Sequence, residues 1–278
     1  FGLGVGEGVA VAMNGHARRC MDTTTRFSEL VQGPPDRLAL DEAALLIAAH
    51  ARPGLDVAAE LKLLDKLAAG IPAGDLHEWR RHLFVDLGFS GNVARYSDPS
   101  NSFLDQVVRR RRGLPITLSV LGMEVGRRVG LRLEGVGLPG HFLLRHSPDC
   151  YLDPFDGGRE LDRNGCVERF RVVNGPRAPF LPSYLDPVGP PAILARMLNN
   201  LKAVYAGRGD IAALSWVFDL RNALPHTSAL ERREWAQVLG LTGRFLEAAQ
   251  QLETLVEDLP DHEESLLAEA KAMRARLN

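Results

Sequence analysis

A chain of 278 residues with 45% hydrophobic and 24% charged residues can bury one large core or two smaller ones. Its formal net charge of −2 leaves no basic excess for binding nucleic acid, and its longest apolar run, AALLIAA, is too short to cross a membrane. Cys20, Cys150 and Cys166 have neither a disulfide-framework spacing nor the C-x-x-C spacing of a zinc or redox site. We therefore expect a reduced, cytoplasmic protein that holds no metal ion and no cofactor.

The chain begins with a glycine-rich segment that has no hydrophobic periodicity. We expect residues 1–26 to form a loose extension, with Met21 as a candidate for the native start. A 3.6-residue apolar periodicity then predicts three helices, over 40–52, 56–69 and 75–87, followed by a loop over 88–100 that is rich in Gly, Asn, Asp and Pro.

Two further helices follow this loop. The first ends in the basic run Arg109–Arg112, which indicates either a nucleic-acid patch or cations that complement the dipole at a helix C-terminus. We expect the second role, because the rest of the chain carries no basic excess. Asn101 and Ser102 stand where this helix begins, so we expect them to cap it or to line a neighbouring cleft. The next helix opens with Pro115, and its widely distributed apolar residues predict a central, buried position.

The stretch GLPGHFLLRHSPDCYLDPFDGG, residues 137–158, predicts a β-hairpin with His141 on one strand and Asp153 on the next. We expect the two side chains to be hydrogen-bonded. A histidine oriented by a carboxylate supplies two of the three members of a nucleophilic triad. The hairpin by itself does not identify the third member.

The last part of the chain is predicted to be helical and to follow a proline-rich linker over 176–190. Two of its segments align with Gly209 on Gly243, 34 residues apart, and each segment ends near a proline. This period and the GRFLEAA motif of the second copy resemble the tetratricopeptide repeat. We expect residues 191–278 to form such repeats and to be unstable alone, because two repeats bury too little apolar surface.

The order of the motifs resembles the transglutaminase-like superfamily. There, a cysteine stands two residues after a glycine at the start of the central helix, and His-aromatic and Asp-Pro pairs follow on the next strands. HF at 141–142 and DP at 153–154 match, whereas Pro115 of GLP occupies the place of the nucleophile. GFSGN, DPSNSFLDQVVRRRRGLPITLSVL, GVGLPGHFLLR and DPFDGG together are similar to the bacterial SirB-type proteins, transglutaminase-like domains without the cysteine and with a tetratricopeptide tail. The resemblance implies an α+β fold: a papain- or transglutaminase-like core over 27–175, then an α-helical repeat domain.

Four other side chains are candidates for a substitute nucleophile. Thr117 and Ser119 lie near the same helix end, but successive helical residues point about 100° apart, so neither occupies the position of the missing cysteine. Cys150 or Cys166 can act as the nucleophile only if the fold places its thiol next to His141. A metal site would need more ligands than one histidine and one aspartate.

Three roles are open for the His141–Asp153 pair: a satisfied polar pair inherited from a catalytic ancestor, part of a cleft that binds a ligand or peptide, or residual catalysis. Phe142 and Phe155 are candidates for lining such a cleft. The expected function is that of a non-catalytic pseudo-transglutaminase that binds a protein or peptide partner, with a regulatory role as one form of that function. The alternative is an amide hydrolase or acyltransferase with a non-standard serine or cysteine nucleophile.

Overall fold

The computed structural model describes residues 23–277. Its helices are α1 (23–32), α2 (Leu40–Ala51), α3 (Val57–Ala68), α4 (Leu76–Arg80), α5 (Leu104–Arg110), α6 (Pro115–Arg128), α7 (Arg163–Asn174), α8 (Pro190–Arg208), α9 (Ile211–Ala223), α10 (Ala229–Leu241), α11 (Phe245–Thr254) and α12 (Glu263–Ala275). Its strands are β1 (Ser90–Gly91), β2 (Arg112–Gly113), β3 (Glu134–Val136), β4 (Leu143–Ser147), β5 (Cys150–Asp153), β6 (Arg159–Leu161) and β7 (Pro187–Val188). The fold therefore combines helices and sheet, as the α+β prediction requires.

The three helices predicted between residues 40 and 87 are present, with small differences at their ends. Asp56 and Asp75 cap α3 and α4: their carboxylates accept hydrogen bonds from the N–H groups of Ala59 and Glu78 at 3.0 and 2.9 Å. The third predicted helix changes type part-way, because α4 continues as a π-helical turn over Arg81–Asp86.

The main sheet has five antiparallel strands in the order β6-β5-β4-β3-β7. Leu144 is paired with Gly135 on β3 and with Leu152 on β5. Because side chains alternate along a strand, Leu144 and Leu152 face a large core that includes α2, α6 and α8, while Leu143 and Tyr151 face a second core against α7. The sheet thus lies between the central helix α6 and α7.

Residues 176–190 are not the linker that their proline content predicts. They form a 3₁₀ turn, Pro182–Leu185, and then β7, which pairs with β3 at the edge of the sheet. Leu185 is buried in the second core, together with Phe170. An edge strand leaves one side of its backbone unpaired, and for this reason it accepts Pro187.

The expected boundary at residue 191 does not separate two cores. Helix α8 contributes to the same core as α2 and α6, with five of its side chains completely buried: Ile193, Leu194, Met197, Leu198 and Leu201. Helices α9, α10, α11 and α12 then pack in sequence, each on the preceding one. The C-terminal helices are therefore joined to the first domain through α8.

The predicted loose extension over 1–26 overlaps the described chain at residues 23–26. Those residues are part of α1, and Phe27 in the same helix is completely buried. The rest of the extension, with Cys20 and Met21, lies outside the described residues, and the prediction for it stays a prediction.

Candidate functional site

The fold brings His141 and Asp153 together. Nε2 of His141 and Oδ2 of Asp153 are 2.9 Å apart, and the two residues are 6% and 0% exposed. Asp153 ends β5, but His141 lies two residues before β4, in a turn where its N–H donates to the carbonyl of Leu138 at 2.9 Å. Asp153 is two residues from Tyr151 on β5, so its side chain lies on the side of the sheet that faces the second core, and His141 is hydrogen-bonded to it there.

Arg169 of α7 joins this pair, although no motif in the sequence pointed to it. Its Nε forms an ion pair with Oδ2 of Asp153 at 2.9 Å, and one of its terminal nitrogens donates a hydrogen bond to Asp156. Oδ1 of Asp153 accepts from the N–H groups of Phe155 and Asp156 at 3.1 and 3.2 Å. With the ring proton of His141 on Nε2, the buried carboxylate accepts three hydrogen bonds and forms one ion pair, so both of its oxygens have partners. These contacts hold the dyad rigidly.

Aromatic rings cover the imidazole. The ring of Phe155 packs edge-on against His141 with centroids 5.9 Å apart, and Tyr96 packs against Phe155 at the same distance. The Phe155 ring needs a glycine opposite it, since a Cβ on Gly91 would come within 2.4 Å of the ring. Burial raises the pKa of the Tyr96 hydroxyl. Phe155 thus lies beside the dyad, as expected, but it covers His141 and leaves it little contact with solvent.

Arg196 of α8 fixes the turn that carries His141. One of its terminal nitrogens donates to the carbonyls of Leu138 and His141 at 2.7 and 2.6 Å, and its guanidinium lies 5.5 Å from the ring centre of Phe142. Burial lowers the pKa of Arg196. Phe142 is 1% exposed and belongs to the large core, so it does not line a cleft as expected.

Asn101 and Ser102 are also buried, at 0% and 1% exposure, and they neither cap α5 nor line a cleft. A 3₁₀ turn over Pro99–Ser102 precedes α5, which displaces the helix start beyond them. Nδ2 of Asn101 donates to the carbonyls of Arg95 and Tyr96 at 2.7 and 3.2 Å, and its own backbone carbonyl accepts from the N–H of Leu114 at 3.2 Å. Asn101 therefore ties the 92–98 loop to the start of α6.

Pro115 is the first residue of α6, as expected, and it is buried. The helix packs against β4 and against the turn that follows Asp153. Of the candidate substitutes, Thr117 and Ser119 are completely buried, and Oγ of Ser119 donates to the carbonyl of Pro115 at 2.8 Å. Neither hydroxyl hydrogen-bonds to His141, so neither is arranged as a nucleophile with its base.

The two described cysteines also lack the environment of a nucleophile. Burial raises the pKa of Cys150, whose Sγ lies 3.7 Å from a carboxylate oxygen of Glu160. Cys166 is completely buried in the second core, where burial, followed by the charges of Asp162 and Asp153, raises its pKa to about 12. Because the thiolate is the reactive form, both thiols are poorly suited to attack.

The arginine run differs in part from the expected helix end. Only Arg109 and Arg110 lie in α5; Arg111 has a left-handed backbone with φ of 55° and Arg112 belongs to β2. Each arginine has a protein partner: Glu60 for Arg109, Asp98 for Arg110, and the carbonyls of Leu87 and Gly88 for Arg111 and Arg112. The absence of nucleic-acid binding stays a prediction.

A groove of about 1100 Å³ lies between α1–α2 and the helices from α8 to α11. We call it the interhelical groove, and its walls include Thr24, Ser28, Gln32, His50 and Pro53 on one side and Tyr205, Asp210, Trp216, Asp219, Asn222, Trp235, Arg244 and Glu247 on the other. The ring of His50 stacks on Trp216 at 5.5 Å, and Tyr205 packs against Trp216 at 5.9 Å. Sequence reasoning missed this groove, because residues far apart in the chain form its walls.

His50 lies on one wall of the interhelical groove and contacts the other wall through its stacking on Trp216. Its Nδ1 lies 2.9 Å from the carbonyl of Leu46, and its Nε2 lies 3.0 Å from the hydroxyl of Thr24. Burial lowers the pKa of His50, against smaller opposing effects from the Leu46 carbonyl and the charge of Asp219. Burial therefore favours the neutral form of the ring.

A smaller cavity of about 430 Å³ lies beside the start of α6, between Tyr96, Leu114 and the last turns of α8. Within residues 23–277, no group of three or more His, Cys, Asp or Glu side chains is arranged to hold a metal ion. Over the same range, no helix has both the length and the apolar character needed to cross a bilayer.

The family model of the transglutaminase-like superfamily matches residues 48–199, which include α6, the hairpin and the dyad. The chain belongs to this superfamily. Among relatives of this transglutaminase-like protein, a UPF0162 protein of Xylella fastidiosa is 41% identical over 208 residues, 67% of this chain and 73% of the relative. A UPF0162 protein of Pseudomonas aeruginosa is 34% identical over 195 residues, 66% of this chain and 71% of the relative.

A shorter similarity connects the transglutaminase-like protein with a eukaryotic one. F-box only protein 21 of Mus musculus is 36% identical over 95 residues, 30% of this chain and 15% of the relative. No solved structure is significantly similar to the chain.

Proposed function

We propose that this transglutaminase-like protein is a non-catalytic binding module, a cytoplasmic pseudo-transglutaminase that holds a protein or peptide partner in the interhelical groove. The observation that carries the proposal is the contrast between the two candidate sites. Phe155 packs on the imidazole of the dyad and the Asp153 carboxylate accepts three hydrogen bonds within the protein, whereas the groove presents aromatic and polar side chains around about 1100 Å³. Large apolar clefts with a few polar groups are typical binding sites.

The lack of a nucleophile supports the non-catalytic half of the proposal. Pro115 carries no group that can attack a carbonyl, and the four substitute candidates are buried or held by other partners. Acyl transfer needs a nucleophile that hydrogen-bonds to its base. In this proposal the three hydrogen bonds of Asp153 and its ion pair with Arg169 have a structural role, which is to fix the end of the hairpin against α7.

The C-terminal helices support the binding half, because they fit tetratricopeptide-like repeats. Gly209 ends α8 with φ of 65°, and Gly243 follows α10 with φ of 80°. The two aligned glycines therefore occupy the same left-handed position between paired helices. In proteins of this kind, stacked helix pairs form concave surfaces that take peptides.

The proposal is tested by selecting twelve-residue peptides from a phage-displayed library on the immobilised full chain. Affinities of the selected peptides for wild type and for Trp216→Ala are then measured by fluorescence anisotropy. We expect Trp216→Ala to weaken binding at least tenfold, because exposed aromatic side chains dominate binding energies. Tyr96→Ala, which alters the smaller cavity, is the matched control and leaves binding unchanged. Selection of no peptide, or equal losses in both variants, would disprove the groove as the binding site.

A second candidate function, an amide hydrolase or acyltransferase, rests on the retained hydrogen bond between His141 and Asp153. It requires a nucleophile from a substrate or from a residue outside those described. The two functions make different predictions for His141→Gln: the substitution abolishes product formation by an enzyme, whereas it leaves the peptide affinity of a binding module unchanged.

A further inference from the structure

The charged side chains in the interhelical groove are mostly acidic. The lining contains three carboxylates and one guanidinium, from Asp210, Asp219, Glu247 and Arg244. Burial favours the neutral form of His50, which adds no charge. The lining therefore carries a net charge of about −2 at neutral pH, from one guanidinium and three carboxylates. A partner that covers these carboxylates removes them from water, which is costly unless it supplies a cation.

Arg244 is not free to bind an anionic partner. Its Nε and one terminal nitrogen donate to both oxygens of Glu247 at 2.9 and 2.7 Å, and its other terminal nitrogen donates to Asp219 at 2.9 and 2.7 Å. Asp219 also accepts from the indole N–H of Trp235 at 3.0 Å. All three guanidinium nitrogens are thus occupied within the protein, and one cation is shared between two carboxylates.

Asp210 and Glu247 are the exposed carboxylates of the lining, whereas Asp219 is partly buried. Oδ1 of Asp210 accepts from the N–H of Ala213, and its second oxygen has no hydrogen bond from a described residue. Half of the Glu247 side chain is exposed. Trp216, which is partly exposed, lines the same groove, and an indole ring attracts a cation that approaches its face.

We propose that the interhelical groove binds a segment of a partner protein that carries an arginine or lysine side chain, with the cation between Trp216 and the carboxylates of Asp210 and Glu247. This inference rests on the proposed function and specifies the chemistry of its ligand. It predicts that arginine and lysine are enriched among the peptides selected on the full chain.

The test uses one selected basic peptide and a copy in which citrulline, which has the same shape without the charge, replaces each arginine. Binding of both is measured against wild type and against Asp210→Asn/Glu247→Gln. Asparagine caps helices as well as aspartate does, so α9 keeps its N-terminal cap. The double variant Glu253→Gln/Asp258→Asn is the matched control: it removes two charges from the same helical region, at residues that pair with Arg274 and Arg232 away from the groove lining.

We expect the citrulline copy to bind wild type about three- to tenfold more weakly than the arginine peptide. The groove variant should bind both peptides equally, and its affinity should depend less on salt. Selected peptides without basic residues, equal binding of the two peptides to wild type, or an equal loss in the control variant would overturn the inference while leaving peptide binding intact. Self-association of the chain that blocks peptide binding would also overturn it, by making a second copy the occupant.

Discussion

Asp153→Asn tests whether the dyad has a structural role. The substitution keeps the shape of the side chain but replaces one acceptor oxygen by an NH₂ group. Either orientation of the amide turns this group towards two donors: His141 and Arg169 on one side, or the N–H groups of Phe155 and Asp156 on the other. The charge that balances Arg169 is also lost, in a position with no exposure to solvent.

Removal of one partner from a buried ion pair costs about 3–5 kcal/mol, so we expect the free energy of unfolding to fall by about that amount. Urea denaturation measures it, and a chain with a stability of about 5–15 kcal/mol remains folded enough for the comparison. Asp156→Asn is the control: Asp156 pairs with the same Arg169 but is 45% exposed, so its loss should cost less than about 1 kcal/mol. If the two variants were equally stable, Asp153 would have no structural role and the argument would be wrong.

Three other predictions follow from the site and the fold. Pro115→Cys should create a thiol at a helix N-terminus with a pKa between roughly 4 and 7. Iodoacetamide should alkylate this thiol at acid pH, whereas Cys166 should not react. A pH profile of labelling centred near about 8.5 would contradict the assignment of Pro115 to the position of the missing nucleophile. The folded-state pKa of His50 lies below the unfolded value of about 6.5, so the free energy of unfolding should have its full value above that pH and decrease as the pH falls below it. His50→Gln should reduce this decrease, measured by urea denaturation at a series of pH values. An unchanged dependence of the free energy of unfolding on pH would refute the prediction. Residues 191–278 expressed alone should show no cooperative thermal transition, since α8 loses its contacts with α2 and α6.

The features that depend on local pattern could be predicted from the sequence. The helices that Asp56 and Asp75 cap carry both an apolar period and a capping residue, and the hairpin has alternating residues around a turn. The His-aromatic and Asp-Pro pattern around the turn was enough to predict the hydrogen bond between His141 and Asp153, although His141 precedes β4 and does not lie on the strand.

The features that depend on distant residues could not be predicted. Arg169 and Arg196 reach the dyad from α7 and α8, and no spacing in the sequence connects them with His141. Residues 176–190 have the composition of a linker, but β3 offers them an edge on which to pair. The walls of the interhelical groove likewise come from the two ends of the described chain. In each case tertiary packing decided the role.

The central claim, that the protein binds without catalysing acyl transfer, is tested most directly by one assay. The full chain is incubated with a mixed pool of glutaminyl peptides and an amine acceptor, and mass spectrometry detects deamidated and transamidated peptides. We predict that wild type forms these products no faster than buffer and that His141→Gln gives the same result, because no nucleophile is arranged beside His141. Product formation above the buffer rate that His141→Gln abolishes would contradict the account and establish an enzyme.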